Sequence, residues 1–398
     1  MSEPTVILGS ARTPIGKLGG TLSSVPATQL GSTAVRAAMD RAGVSDNDVD
    51  YVIMGNVLSA GLGQAPARQA SIGAGLPDTC SALTVNKVCA SGIMSVILAS
   101  LMVQSGDADV VIAGGMESMS RAPHVLPGSR TGKRIGDWEM VDTMVHDGLW
   151  CCFNDTHMGN LAEGTAAEFE VTRQEQDQFA LGSNQSAVRA AGDGSFAKEI
   201  VPVDVKTRKG SVTVSEDEGP RPDTSIEALA KLSTPFETGE TVTSGNSSQI
   251  SDGAAAIVVA SPEKARSLGL QPIATIEDHT FVANEPARLF EAPAQAIDKL
   301  LGRSKMNLSD IDLMEVNEAF SSQVLANGKA LDWDWDKVNV NGGAVALGHP
   351  IGASGARILV TLLHALEHRG LESGVAAVCH GGGGAISMRV SAHGDAHA

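Results

Sequence analysis

Between residues 27 and 42 apolar side chains return near the 3.6-residue helical period, which predicts an amphipathic helix. Short apolar runs predict strands at 6–9, 50–54, 83–86 and 109–113, the last ended by Gly114-Gly115. A run of small residues at 64–73 predicts a second helix. From 89 to 104 the pattern changes character. Ile93, Met94, Val96, Ile97, Leu98, Leu101, Met102 and Val103 leave no polar face, so this helix is expected at the centre of the molecule, buried on all sides.

Beyond residue 116 charges, prolines and glycines become denser, up to about 249. Thr172-Arg173-Gln174-Glu175 reads as a capping box opening a helix to about 190. The stretch is expected to form a largely separate insertion that covers a site. A buried strand at 253–260 and a helix at 262–268 follow. Then the first third of the chain repeats. Helix, Val44-Ser45-Asp46-Asn47-Asp48-Val49-Asp50 and strand in one copy match helix, Met306-Asn307-Leu308-Ser309-Asp310-Ile311-Asp312 and strand in the other. Cys89-Ala90-Ser91-Gly92 matches Gly352-Ala353-Ser354-Gly355, each ahead of an apolar helix, and 109–115 matches 375–382. Near-constant spacing between the copies indicates a duplicated α/β unit with helices between mainly parallel or mixed sheets. Two copies packed about a pseudo-dyad would bring the helix N-termini after Cys89 and Gly352 together. The division expected is 1–118 with 250–270, an insertion at 119–249, and 271–398.

Composition narrows the function. The 398 residues are 42% hydrophobic, enough for a large core and two or three domain-sized units. A net charge of −17 argues against non-specific nucleic-acid binding, and an anionic ligand would need a local basic patch. Aromatics at 3% argue against base-stacking platforms. Cys80, Cys89, Cys151, Cys152 and Cys379 suggest neither a disulfide framework nor a zinc site. The N-terminus enters a strand at once, without a leader pattern, and no apolar run is read as reaching the ~18 residues of a membrane span. Residues 393–398 read as a polar tail without a peroxisomal tripeptide. These readings lead us to expect a reducing, cytoplasmic setting.

Candidate chemistry gathers at the strand ends. Asn341-Gly342-Gly343-Ala344-Val345-Ala346-Leu347-Gly348-His349-Pro350-Ile351-Gly352-Ala353-Ser354-Gly355 sets one histidine among five glycines and a proline, ahead of an apolar helix. Such a loop is rigid and admits close backbone approach, which suits a proton-handling group, although a plain glycine-rich turn has the same look. Cys89 lies at the start of the central helix, where the partial positive charge favours a thiolate; a small buried hydrophobe is the simpler reading. Cys379 ends a strand before Gly381-Gly382-Gly383-Gly384, whose N–H groups could face an oxyanion. Because an apolar strand follows, that run is a poor dinucleotide motif. Asn317 ends a strand and could simply cap a helix, and His157 could be a surface residue. Taken together, a thiol nucleophile, a base and a preorganised oxyanion site suit acyl transfer with carbon–carbon bond making or breaking.

The sequence resembles the thiolases over nearly its whole length, and among them the short-chain acetyl-CoA C-acetyltransferases. The resemblance rests on Val85-Asn86-Lys87-Val88-Cys89-Ala90-Ser91-Gly92, Gly114-Gly115-Met116-Glu117-Ser118-Met119-Ser120, His157-Met158-Gly159, Ser244-Gly245-Asn246-Ser247-Ser248, Asn317-Glu318-Ala319-Phe320, Gly348-His349-Pro350, and Cys379 before its glycines. It implies an α/β thiolase fold, two halves in αβαβα layers with an inserted loop domain. It also implies the reaction 2 acetyl-CoA = acetoacetyl-CoA + CoA, with coenzyme A and acyl-CoA as substrates and no tightly bound cofactor. By resemblance, Cys89 takes the acyl group, His349 activates it, and Cys379 moves the α-proton. Asn317 holds a water in one oxyanion hole, and the N–H groups of Cys89 and Gly381 form the other. Leu149, His157, Met158 and Ser248 match positions lining the pantetheine and acyl pocket, and Arg221 matches a CoA contact, though a solvated arginine would look the same. Residues 116–148 resemble a tetramerisation loop, which implies a homotetramer. Two features depart from the family pattern: the run Cys151-Cys152-Phe153-Asn154-Asp155-Thr156 before His157, and His380 beside Cys379. Both bear on acyl-chain preference. A longer-chain 3-ketoacyl-CoA thiolase and a non-catalytic thiolase-like lipid carrier are the other readings; the carrier predicts loss of Cys89, His349 or Cys379, and all three are present.

Overall fold

The computed structural model describes residues 3–236 and 239–393; the residues at 1–2 and 394–398, including most of the polar tail, lie outside the described residues. Nine principal strands run β1 (Val6–Arg12), β2 (Tyr51–Gly55), β3 (Ser81–Val85), β4 (Val110–Ser118), β5 (Ser251–Ala260), β6 (Ala274–Ala283), β7 (Leu313–Val316), β8 (Ser373–His380) and β9 (Gly384–Ala392). Their order is β7-β8-β9-β6-β1-β5-β4-β2-β3. The contact between β6 and β1 is slight, with Val6 opposite Thr275 and Ile7 opposite Ala274. It joins two halves of like design. In the first, β2 is parallel to β3 and β4, β4 antiparallel to β5, and β5 antiparallel to β1. In the second, β7 is parallel to β8, β8 antiparallel to β9, and β9 antiparallel to β6. A parallel bridge from Met314 to Val338 stands where β3 would be. The duplication read from spacing is therefore a duplication of strand order.

The principal helices are α1 (Ala27–Ala42), α2 (Pro66–Gly73), α3 (Ser91–Ser105), α4 (Met158–Glu168), α5 (Arg173–Gly192), α6 (Ala292–Ser304), α7 (Ser321–Leu331) and α8 (Ser354–Arg369). Strand periodicity assigns them to layers. Val110 and Ile112 of β4, with Ala254, Ala256 and Val258 of β5, pack with α1 and α2. The alternate residues Val111, Ala113, Ala255, Ile257 and Val259 pack with α3 and α8. Ala376 and Val378 of β8 close the other side of that layer, while Val375 and Ala377 pack outward with α6 and α7. The result is helix, sheet, helix, sheet, helix. Leu30, Val35 and Met39 of α1 are fully buried, each stabilising by about 2 kcal/mol relative to exposure.

Three expectations change. Strand β4 runs through Gly114-Gly115 to Ser118, because its ladder with β5 continues to the pair Asp252 and Ser118. Cys89 lies two residues before α3, in the turn that feeds it. The stretch Val88–Ser105 does reach span length, 18 residues with a mean hydropathy of 1.8, and 56% of it is buried. A helix sandwiched between two sheets carries apolar residues on every side for that packing.

The N-termini of α3 and α8 meet, as the pseudo-dyad requires. A Cβ on Gly92 would lie 2.6 Å from the backbone nitrogen of Ala356, and one on Gly355 would lie 2.6 Å from that of Ile93. Only glycine at both positions lets the two helices cross this closely. That contact sets Cys89 and the His349 loop side by side.

Candidate active site

Between β3 and α3 the chain makes a tight turn through Lys87, Val88 and Cys89. The Ser91 hydroxyl accepts from the Lys87 N–H (2.8 Å) and donates to the Val88 carbonyl (2.6 Å). Val88 is forced to φ +50°, a left-handed conformation that a β-branched residue adopts only when its surroundings impose it. This strained corner turns Cys89 into a largely apolar cavity of about 160 Å³. The cavity is also lined by His349, Cys379, His380 and Gly381, and by Leu149, His157, Met158 and Ser248.

His349 is held on both sides. Its N–H donates to the Gln249 carbonyl (2.9 Å), and its Nδ1 lies 2.6 Å from Ser354 Oγ. Ser354 gives its one proton to the Pro350 carbonyl (2.9 Å), so its oxygen accepts from Nδ1–H and leaves Nε2 as the basic nitrogen. Burial and the nearby charge of Arg357 push the imidazole down to about 3, so it is neutral at physiological pH. Two buried carboxylates fix the loop that carries it. Glu318 accepts from Ser183, Asn339 and the Val345 N–H at 2.8–3.0 Å. Glu117 accepts from the N–H groups of Val57, Leu58 and Gly352 at 3.0–3.2 Å, and burial raises it to about 7.

Burial pushes Cys89 up to about 12, outweighing the N–H groups of Gly381 and Cys89 that face the sulfur. The apolar surroundings thus favour the thiol, against the pull toward thiolate of the helix terminus and the two N–H groups. Cys379, 1% exposed at the end of β8, is raised by burial and by the neighbouring Cys89. Its adjacent turn places Gly382 and Gly383 at φ +91° and +90°. All five cysteines are free.

Asn317 stands behind the cavity rather than in its lining. Its N–H donates to the Ala377 carbonyl (2.9 Å), and neither polar atom of its buried side-chain amide has a hydrogen-bond partner among the described residues. It caps no helix, since the N-cap of α7 is Phe320. His157 is the N-cap of α4, accepting from the Gly159 N–H (3.0 Å) and stacked on Phe236 at 5.1 Å. Arg221 is exposed outside the lining, its N–H bonded to Asn184 Oδ1 (3.0 Å). Sequence reasoning missed the apolar walls: Met119, Phe236, Leu289, Phe290, Phe320 and Ile351. It also missed the work of Glu117 and Glu318. Their signal was a carboxylate inside a largely apolar stretch at the end of a strand, where an unpaired charge would be costly. A neutral base beside a thiol, a second thiol and converging N–H groups can carry nucleophilic acyl transfer in this apolar cavity.

The thiolase N-terminal domain model matches residues 5–263, and the thiolase C-terminal domain model matches 270–392. The chain belongs to the thiolase family. The acetyl-CoA acetyltransferase of Cupriavidus necator is 50% identical over 386 residues, covering 97% of this thiolase and 98% of the relative. That of Chromobacterium violaceum is 50% identical over 385 residues, covering 96% and 98%. The crystal structure of the Bacillus anthracis acetyl-CoA acetyltransferase superposes with a TM-score of 0.97 at 41% identity, covering 98% of this chain and 99% of that one. The layered, duplicated architecture is thus the thiolase fold.

Proposed function

We propose that this thiolase is an acetyl-CoA acetyltransferase, interconverting two acetyl-CoA with acetoacetyl-CoA and CoA. The observation that carries the reading is the convergence of Cys89, His349, Cys379 and Gly381 on one cavity. Cys89 Sγ attacks the thioester carbonyl of acetyl-CoA while its proton passes to Nε2 of His349. The carbon–sulfur bond of the substrate breaks, CoA leaves with the proton of Cys379, and Cys89 carries the acetyl group while His349 keeps the proton on Nε2 and Cys379 is left as a thiolate. Cys379 then takes a proton from the α-carbon of a second acetyl-CoA. The resulting carbanion attacks the acetyl carbonyl, the bond from that carbon to Cys89 Sγ breaks, acetoacetyl-CoA departs, and Cys89 recovers its proton from His349, while Cys379 keeps the α-proton and all three groups return to their neutral forms.

Charge develops on oxygen twice. The N–H groups of Cys89 and Gly381 receive the oxyanion at the acyl-enzyme carbonyl. His349, together with a water held by Asn317, receives the one on the second thioester. Each such donor contributes about 3 kcal/mol. The neutral resting states of thiol and imidazole suit this scheme, since each proton moves only when a bond forms. Leu149, His157, Met158 and Ser248 would flank the pantetheine arm, and the exposed Arg221 would meet the anionic nucleotide.

The same reading includes a homotetramer and a reducing, cytoplasmic setting. In support of the former, an arm around residues 123–142 exposes Ile135 (87%) and Met140 (69%), apolar surface that a partner would cover. The test of function is CoA-dependent thiolysis of acetoacetyl-CoA beside a medium-chain 3-ketoacyl-CoA, with Cys89→Ala as control. Cleavage of acetoacetyl-CoA that is abolished by the substitution is expected. Preference for the longer substrate would favour a 3-ketoacyl-CoA thiolase, and CoA binding without turnover of either would revive the carrier.

A further inference from the structure

The hairpin joining β8 to β9 pairs His380 with Gly384 and turns through Gly381, Gly382 and Gly383. Three successive glycines have the most backbone freedom a chain can have, so ordering this turn is entropically costly. Yet the Gly381 N–H must face Cys89 Sγ for the site to work. One side chain spans the problem. His380 Nδ1 lies 2.9 Å from the Gly381 carbonyl. A carbonyl only accepts, so Nδ1 carries the proton and donates. The neighbouring Cε1–Nε2 edge of the ring rests on β9: a Cβ at Gly384 would lie 2.8 Å from Nε2 and 2.9 Å from Cε1. The ring, 9% exposed, is thus clamped between the turn it bonds and the strand it covers.

We propose that His380 is a positioning residue for the oxyanion hole, fixing Gly381 through its carbonyl so that the Gly381 N–H stays aimed at Cys89. The inference rests on the acyl-enzyme reading above and adds to it a side chain that holds a backbone donor in place.

The test compares His380→Leu, which removes the donor, with His380→Asn, which keeps an N–H near the position of Nδ1. Two readouts are taken on the full chain: kcat and KM for thiolysis of acetoacetyl-CoA, and the rate at which iodoacetamide alkylates Cys89, followed by peptide mapping. Alkylation needs no substrate, and it reports the N–H groups that stabilise the thiolate. In His380→Leu, kcat is expected to fall about 10-fold with KM within about 2-fold, and alkylation to slow by a similar factor; this is short of the 100-fold or more for deleting a donor outright. His380→Asn is expected within about 3-fold of the wild type in both. Wild-type values for His380→Leu would overturn the proposal, as would equal losses in both variants at unchanged melting temperature. Should the wild type leave acetoacetyl-CoA intact, the proposed function fails, and the alkylation rates still decide the role of His380.

Discussion

Removing the Ser354 hydroxyl tests how His349 is kept in its working form. Ser354 opens α8, is 1% exposed, and supplies the acceptor 2.6 Å from His349 Nδ1. In Ser354→Ala the buried Nδ1–H loses its partner, a penalty of about 1–3 kcal/mol. The imidazole escapes it by moving the proton to Nε2, which is the wrong tautomer for taking a proton from Cys89. At about 2 kcal/mol the productive form becomes about 30-fold rarer, since 1.36 kcal/mol is a factor of ten. The assay is kcat/KM for acetyl transfer from acetyl-CoA, measured well below the melting temperature. We expect a 10- to 100-fold loss, on the order of the same energy range. Ser354→Thr, which keeps the hydroxyl, should remain within about 3-fold. A purely structural role would lower the melting temperature and leave turnover intact. More than half of wild-type activity in Ser354→Ala would refute the tautomer argument.

Two other predictions concern buried charge. Arg357 and Glu315 face each other at 3.7 Å, each 2% exposed, and none of the three Arg357 nitrogens has a hydrogen-bond partner among the described residues. Glu315→Leu should cost about 3–5 kcal/mol in urea unfolding, and Glu315→Leu with Arg357→Met should recover most of it; equal stability of the single and double variants would contradict the pairing. His349 titrates at about 3 in the fold, against about 6.5 unfolded. Between those values the unfolded chain binds a proton that the native state does not, so stability is lost as pH falls. The wild type should therefore lose about 1.4 kcal/mol per pH unit more than His349→Asn between pH 6 and 4, and parallel profiles would show that His349 is not held neutral.

Much of this was legible in the chain. Helix α1 occupies the expected 27–42 because Pro26 and Gly43 frame a clear apolar period. The capping box at Thr172 and Glu175 forms, and the spacing between copies announced the shared strand order. What escaped depends on distance in space. Gly114-Gly115 reads locally as a strand end, but the partner that prolongs β4 lies about residue 252. Phe236 and Leu289 reach the cavity from segments with no chemical signature of their own. Cys89 was read from a helix-terminus rule, while the apolar surroundings that disfavour its thiolate are a property of the closed fold. Glu117 and Glu318 stood inside recognised motifs, yet only the fold shows that each gathers hydrogen bonds from the loops around His349.

The central claim is that Cys89 carries the acetyl group. Incubation with acetyl-CoA, acid quench and peptide mapping by mass spectrometry tests it directly. The account predicts a stoichiometric acetyl thioester on the peptide holding Cys89, absent in Cys89→Ala and discharged by free CoA. A thioester on the peptide holding Cys379, or turnover by Cys89→Ala at the wild-type rate, would contradict it.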